Sequence, residues 1–160
     1  MKKALVIAAV LMTQFSLEAQ EDLRGTAEVT LKGKKVSIEY GRPSLRGRDM
    51  LGMAKPEMVW RMGMNAPTTM KTEANLVSGG VSIPAGDYKL QAKCIGPDQW
   101  ELLLNGGELV VPIKTEVVDA NVETFTIYLL RSRYGQDTGG ARLRADWGNK
   151  RLTAEFKVSD

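Results

Sequence analysis

Alternation with period two runs through most of this chain, and it is the feature that most narrows what the chain can become. In TAEVTLKGKKVSIEY, Ala27, Val29 and Leu31 share one face. Gly33 and Lys34 mark a turn, and Val36, Ile38 and Tyr40 face inward on the return. DYKLQAKCIGPDQWELLLN repeats the pattern. Tyr88, Leu90, Ala92 and Cys94 share a face, Gly96–Pro97–Asp98 turns, and Trp100, Leu102 and Leu104 return. VETFTIYLL aligns Phe125, Ile127 and Leu129. ARLRADWGNKRLTAEFKV predicts a closing hairpin: Ala141, Leu143, Ala145 and Trp147 face in, Gly148–Asn149 turns, and Leu152, Ala154, Phe156 and Val158 face in. No long helical period competes with this. The pattern predicts an all-β domain, an antiparallel β-sandwich that is jelly-roll-like or a partly closed barrel, of about eight to ten strands. The outward positions are Lys, Glu, Arg and Asp, which argues against the lipid-facing apolar band of a membrane barrel.

One stretch breaks the alternation. Between Tyr40 and a strand expected near Met58 stand Gly41, Pro43, Gly47, Gly52 and Pro56. Loops longer than about 12–15 residues inside a compact domain are usually functional or disordered. Leu51, Met53, Met58, Val59 and Trp60 favour burial over disorder, so one long ordered loop across an end of the sandwich is expected. A helical turn or two is expected near Ala54 to Met58.

The first residues carry a different signal. Lys2 and Lys3 precede an unbroken apolar run from Ala4 to Met12, and Ala19 is a small residue suited to cleavage. Residues 1–19 are predicted to be a signal peptide and residues 20–160 a single β-sandwich domain. The product would be periplasmic or secreted, with no stable membrane span after cleavage, because the run falls short of the roughly 20 apolar residues of a spanning helix. Cys94 is the one cysteine, so no internal disulfide is possible. Its phase with Leu90 and Ala92 makes it a core residue rather than a nucleophile.

Charge is grouped rather than large. Tyr40 to Asn65 carries five Lys/Arg against two acids, a net of +3, and Arg131 to Arg151 carries six against two, a net of +4. The intervening Ala66 to Leu130 carries four against eight, a net of −4. The balance is too mild for a nucleic-acid binder.

Catalytic signatures are missing. The chain has no histidine, hence neither the usual general base nor the commonest metal ligand. There is no nucleophile-elbow serine, no phosphate-cradling glycine loop and no calcium-loop spacing. No cofactor and no metal are expected. Asp49 with Glu57 is a carboxylate pair of the kind glycoside hydrolysis needs, though two solvated loop acids explain it more simply. Arg42, Arg46, Arg48 and Arg61 leave two readings open. Guanidinium forks grip carboxylate or phosphate, and they also tie loop carbonyls together.

These residues also resemble a known family. YGRPSLRGRDMLG, then VWRMGMNAPT, IPAGDYKL and WELLLN, in that order, are similar to the domain of unknown function 2911 family of small exported bacterial proteins. The resemblance spans nearly all of the chain after the leader. It places the family's signature positions on Arg42, Pro43, Ser44, Gly47, Arg48, Gly52, Trp60, Arg61, Gly63, Asn65 and Thr68, continuing through Pro84, Ala85, Gly86, Tyr88 and Trp100. Leu51 stands where an aromatic is usual and Met64 where alanine is usual. The resemblance implies an exported, mostly β fold and supplies no reaction.

The reading is therefore a non-enzymatic ligand-binding sandwich with a basic loop site built by Arg42, Arg48, Trp60, Arg61 and Asn65. Arg48 and Arg61 are expected to face one cavity beside Trp60. The ligand would be a small molecule or glycan with anionic groups, held through carboxylate, phosphate or sulfate. The alternatives are a carboxylate- and arginine-dependent hydrolase, or a module that docks an envelope protein.

Overall fold

The computed structural model describes residues 23–132 and 137–159. The expected leader lies outside the described residues. Ten strands form one antiparallel sheet: β1 (Arg24–Leu31), β2 (Lys34–Gly41), β3 (Val59–Trp60), β4 (Thr68–Thr72), β5 (Leu76–Ser78), β6 (Val81–Ile83), β7 (Gly86–Gly96), β8 (Gln99–Leu104), β9 (Leu109–Arg131) and β10 (Gly140–Val158). Their order is β1-β2-β4-β7-β8-β9-β10-β5-β6, with β3 on the edge of β7 outside that path. The sheet folds over rather than closing, which gives the expected sandwich-like, all-β architecture.

β9 makes the fold-over. Leu109 to Ile113 pair with β8, and Lys114 to Arg131 pair with β10, so one strand serves both layers. Two edges approach each other near β9 without pairing as a ladder, and side chains bridge them. Tyr40 Oη donates to the Ile127 carbonyl at 3.3 Å, and Arg131 Nη2 to the Thr30 carbonyl at 3.0 Å. These bonds satisfy carbonyls that closure would have paired.

The alternating faces read from sequence are the buried ones. Ala27, Val29, Leu31, Val36, Ile38, Leu90, Ala92, Cys94, Leu102, Leu104, Phe125 and Ile127 all lie in the core. Five aromatics join the layers. Tyr40, Trp60 and Trp100 come from β2, β3 and β8, and Phe125 and Trp147 from β9 and β10. Trp60 stacks on Trp147 with centroids 5.4 Å apart and meets Phe125 edge-on at 4.9 Å. Such pairs contribute about 0.5–1.5 kcal/mol each beyond area burial.

Several local expectations are corrected. The first hairpin turns at Lys32–Gly33, one residue earlier than read, and both residues have positive φ, as the twist of a two-residue hairpin requires. The segment near Ala54 to Met58 holds turns and no helix. Met53, Met58 and Val59 are exposed, whereas Leu51 is buried and Trp60 partly so.

The closing hairpin is absent, because β10 is one continuous strand. Both of its halves pair with β9 rather than with each other. From Asp146 to Lys150 β10 advances four residues, while the partner positions retreat nine, from Thr126 to Val117. The excess bulges out of β9 around the exposed Asp119, Ala120 and Asn121. The inward parity of β10 changes from odd to even across Gly148, whose φ of +60° re-aims the strand. The sequence cue was a real irregularity of the wrong type.

Candidate functional site

β7 offers one edge to two short strands. Trp60 of β3 lies opposite Ala92, and Thr68 of β4 lies opposite Leu90. Only Gln91 separates those two points on β7, yet the chain spends Arg61 to Pro67 in crossing between them. That excursion leaves a hollow of about 220 Å³, lined by Arg61, Asn65, Pro67, Thr68, Lys89, Leu90 and Gln91.

The excursion is tightly specified. Met62 is fully buried with φ of +52°, and Asn65 has φ of +60°. For a residue with a Cβ, each such conformation costs about 1–2 kcal/mol, somewhat less for asparagine. Thr68 Oγ1 donates to the Met62 carbonyl at 2.7 Å inside the core. A Cβ on Gly63 would lie 2.9 Å from the Gly41 carbonyl oxygen, and one on Gly41 would strike the Met64 backbone. Close backbone approach is therefore what those two glycines supply. Strained backbone of this sort persists where the surroundings over-determine it, and it clusters at functional sites.

Arg61 Nη1 donates to the Asn65 carbonyl at 3.1 Å, which uses one of five guanidinium donors. Neither Arg61 nor Lys89 has a carboxylate partner among the described residues, and no carboxylate lines the hollow. Asn65 and Gln91 add amide groups. Two cations without counter-charge, beside neutral donors and acceptors, suit an oxyanion.

The other expected site residues lie elsewhere. Arg48 lines a separate hollow of about 430 Å³ with Asp49, Asp119, Asn121, Glu123 and Asn149, and its Nε donates to the Leu45 carbonyl at 3.3 Å. Arg42 is wedged between layers, with Nη2 3.4 Å from Thr126 Oγ1 and its Nε buried without a hydrogen-bond partner. Trp60 belongs to the aromatic core and lines neither hollow. The expectation of a single Arg48–Arg61 cavity is thus corrected.

The reason lies in backbone pairing. Pro43 to Leu45 run along β9, with Leu45 N donating to Glu123 O and Phe125 N to Pro43 O. A Ser44–Thr124 bridge completes this contact. Arg61, by contrast, follows β3 on β7. The two ends of the basic loop are pulled to different strands, and their arginines go with them. Carbonyl-tying, one of the two readings left open, describes Arg48; Arg61 does the same while keeping most of its donors free.

Sequence reasoning missed Lys89 and Gln91. They sit on the outward parity of β7, where a charged residue reads as ordinary solvated surface. No local signal marks them; only the pairing of β3 and β4 with the same edge brings them to Arg61.

Residues 23–156, most of the chain, match the family described as protein of unknown function, DUF2911. No curated protein and no solved structure matches the chain.

Proposed function

We propose, for a chain that belongs to the DUF2911 family, that it is an exported binding protein which holds an anionic group in the Arg61–Asn65–Lys89 hollow. The observation that carries this reading is the pair of cations lining one hollow with no carboxylate among its walls. The volume is below the roughly 300–1,000 Å³ that encloses a drug-sized ligand. It fits one charged group, such as the acidic end of a glycan or a small oxyanion. The hydrolase alternative has no comparable support. Asp49 Oδ1 accepts from Gly52 N at 2.9 Å, and Glu57 pairs with Lys93 at 2.8 Å, so each carboxylate is engaged separately.

Calorimetric titration with glucuronate, sulfate and inorganic phosphate tests the reading. Arg61→Ala and Lys89→Ala should each weaken binding by about ten- to a hundred-fold, the worth of one charge-assisted hydrogen bond. Arg61→Lys keeps the charge, loses the fork, and should still weaken it. Wild-type affinity in both alanine variants, or no binding of any of these anions by the wild type, overturns the proposal. Retention of residues 1–19 in the intact mass of protein recovered from the cell envelope would overturn cleavage.

A further inference from the structure

We propose that the outer face of β9–β10 carries a second, separate ligand site, for a small monocarboxylate, whose arginines are fixed by the buried carboxylate of Asp146. This goes beyond the Arg61 hollow and does not depend on it.

The unexplained feature is Asp146 itself. It lies on an outward position of β10, yet it is 3% exposed because arginines cover it. Arg151 grips both of its oxygens, Nε to Oδ1 at 2.9 Å and Nη2 to Oδ2 at 3.1 Å. Arg144 Nε lies 3.2 Å from Oδ2, off the angle of a hydrogen bond, and that buried nitrogen has no other partner. Arg144 also sits over the Tyr128 ring at 4.3 Å. Burying a carboxylate this way is seldom a gain in stability over an apolar pair. What it achieves is orientation: two guanidiniums stand rigid, with most of their donors unspent.

Those donors border a hollow of about 260 Å³ lined by Lys114, Glu116, Leu130, Arg142, Arg144, Arg151, Thr153 and Glu155. Lys114 pairs with Glu116 at 2.6 Å, and Arg142 pairs with Glu155. Four cations against Glu116, Glu155 and Asp146 leave a single positive charge, which one monoanion balances. The two rim glutamates oppose a dianion such as phosphate. The hydrogen bond from Lys114 holds the Glu116 carboxyl below its ordinary value. A planar carboxylate matches the guanidinium fork. Exposed Leu130 supplies an apolar flank for the carbon body.

The test is a nuclear magnetic resonance titration that follows the arginine Nε–H signals, with benzoate and butyrate as probes and inorganic phosphate as the contrast. The expected result is saturable shifts at Arg144 and Arg151 with the carboxylates and none with phosphate. Arg142→Ala removes only an exposed pair, so the variant folds; it and Arg144→Gln should weaken benzoate binding about tenfold. Arg61→Ala/Lys89→Ala should leave it unchanged. Asp146→Asn should collapse the separation of the Arg144 and Arg151 signals and lower affinity while the main-chain amide spectrum stays folded. The proposal is overturned if benzoate moves Arg61 rather than Arg144 and Arg151, if Arg142→Ala and Arg144→Gln keep wild-type affinity, if phosphate binds there as well as benzoate, or if neither carboxylate binds. Unchanged Arg144 and Arg151 signals in Asp146→Asn would remove its positioning role.

Discussion

Two regions drawn from segments of similar net charge, +3 over Tyr40 to Asn65 and +4 over Arg131 to Arg151, differ in what holds the charge. At the Arg61 hollow the cations are exposed, no carboxylate answers them, and the backbone beneath is strained. On β10 every arginine of the group meets an acid: Arg142 with Glu155, Arg144 and Arg151 with Asp146. One region keeps its positive potential available, and the other spends most of it on its own geometry. Net charge over a segment cannot separate these cases; partner geometry can. The regions are also joined through the core. Arg61 follows Trp60, Asp146 precedes Trp147, and those two indoles are stacked.

The largest effect is expected where the regions meet. Trp60→Ala removes a ring that touches Trp100, Phe125 and Trp147. Large-to-small aromatic changes in cores cost about 3–5 kcal/mol, and because Trp60 is only partly buried, about 3 kcal/mol is expected by chemical denaturation. The Arg61 hollow should loosen, while the Arg151–Asp146 fork, both of whose residues lie on β10, should not. If the Arg151 Nε signal moves as far as that of Arg61, the two regions are one unit and the comparison fails.

Asp146→Ala comes next. It leaves two guanidiniums facing a vacated space. Breaking a buried ion pair typically costs about 3–5 kcal/mol, but these arginines are 28% and 29% exposed and recover some hydration, so about 2 kcal/mol is expected. Arg61→Ala, in contrast, should shift stability by no more than about 0.5 kcal/mol. Equal losses from both variants would mean that the hollow is architecture like the β10 cluster.

How much of this was legible in the sequence follows from the range of the interactions involved. Period two placed Leu90, Ala92, Cys94, Trp100 and Leu102 inward because parity is local. The aromatic and aliphatic residues of Tyr40–Pro67 were harder: Met53, Met58 and Val59 have the chemistry of core residues but lie where nothing packs over them. The arginines split for a reason no local pattern carries, since Ser44 pairs with Thr124 and Trp60 with Ala92. Arg61 and Asn65 are legible together because only three residues of one excursion separate them. Lys89 and Gln91 join them only through strand pairing.

Gly148 is a smaller case of the same lesson. A glycine–asparagine pair signals a hairpin, but β9 is long enough to partner both halves of β10, so the glycine serves a bulge instead. An added Cβ would find Leu45 at 3.6 Å and Asn121 at 3.9 Å, which is ordinary contact. The cost of Gly148→Ala is then conformational, about 1 kcal/mol for a residue with a Cβ at φ of +60°. Gly148→Asn should cost less than Gly148→Ala, because asparagine tolerates that conformation better. A loss well above this would mean that the bulge carries the Asp146 cluster with it.

The smallest expected effect sharpens the comparison most. Asn65 can contribute to the hollow in two ways. Its backbone carbonyl accepts from Arg61, and its side-chain amide lines the cavity. Asn65→Gly keeps the carbonyl and relieves the positive φ, so stability should change by less than about 0.5 kcal/mol: the gain in φ roughly offsets the extra freedom of the unfolded chain. If Asn65 only supports Arg61, anion affinity stays at the wild-type level. If its amide grips the ligand, affinity falls several-fold while the melting curve stays in place. Asn65→Ala separates backbone from side chain further, since it deletes the same amide but keeps the strain. Matching affinity losses in the glycine and alanine variants, with destabilisation only in alanine, would assign the amide a ligand contact. Losses that track stability instead would assign Asn65 to the scaffold and leave Arg61 and Lys89 to hold the anion.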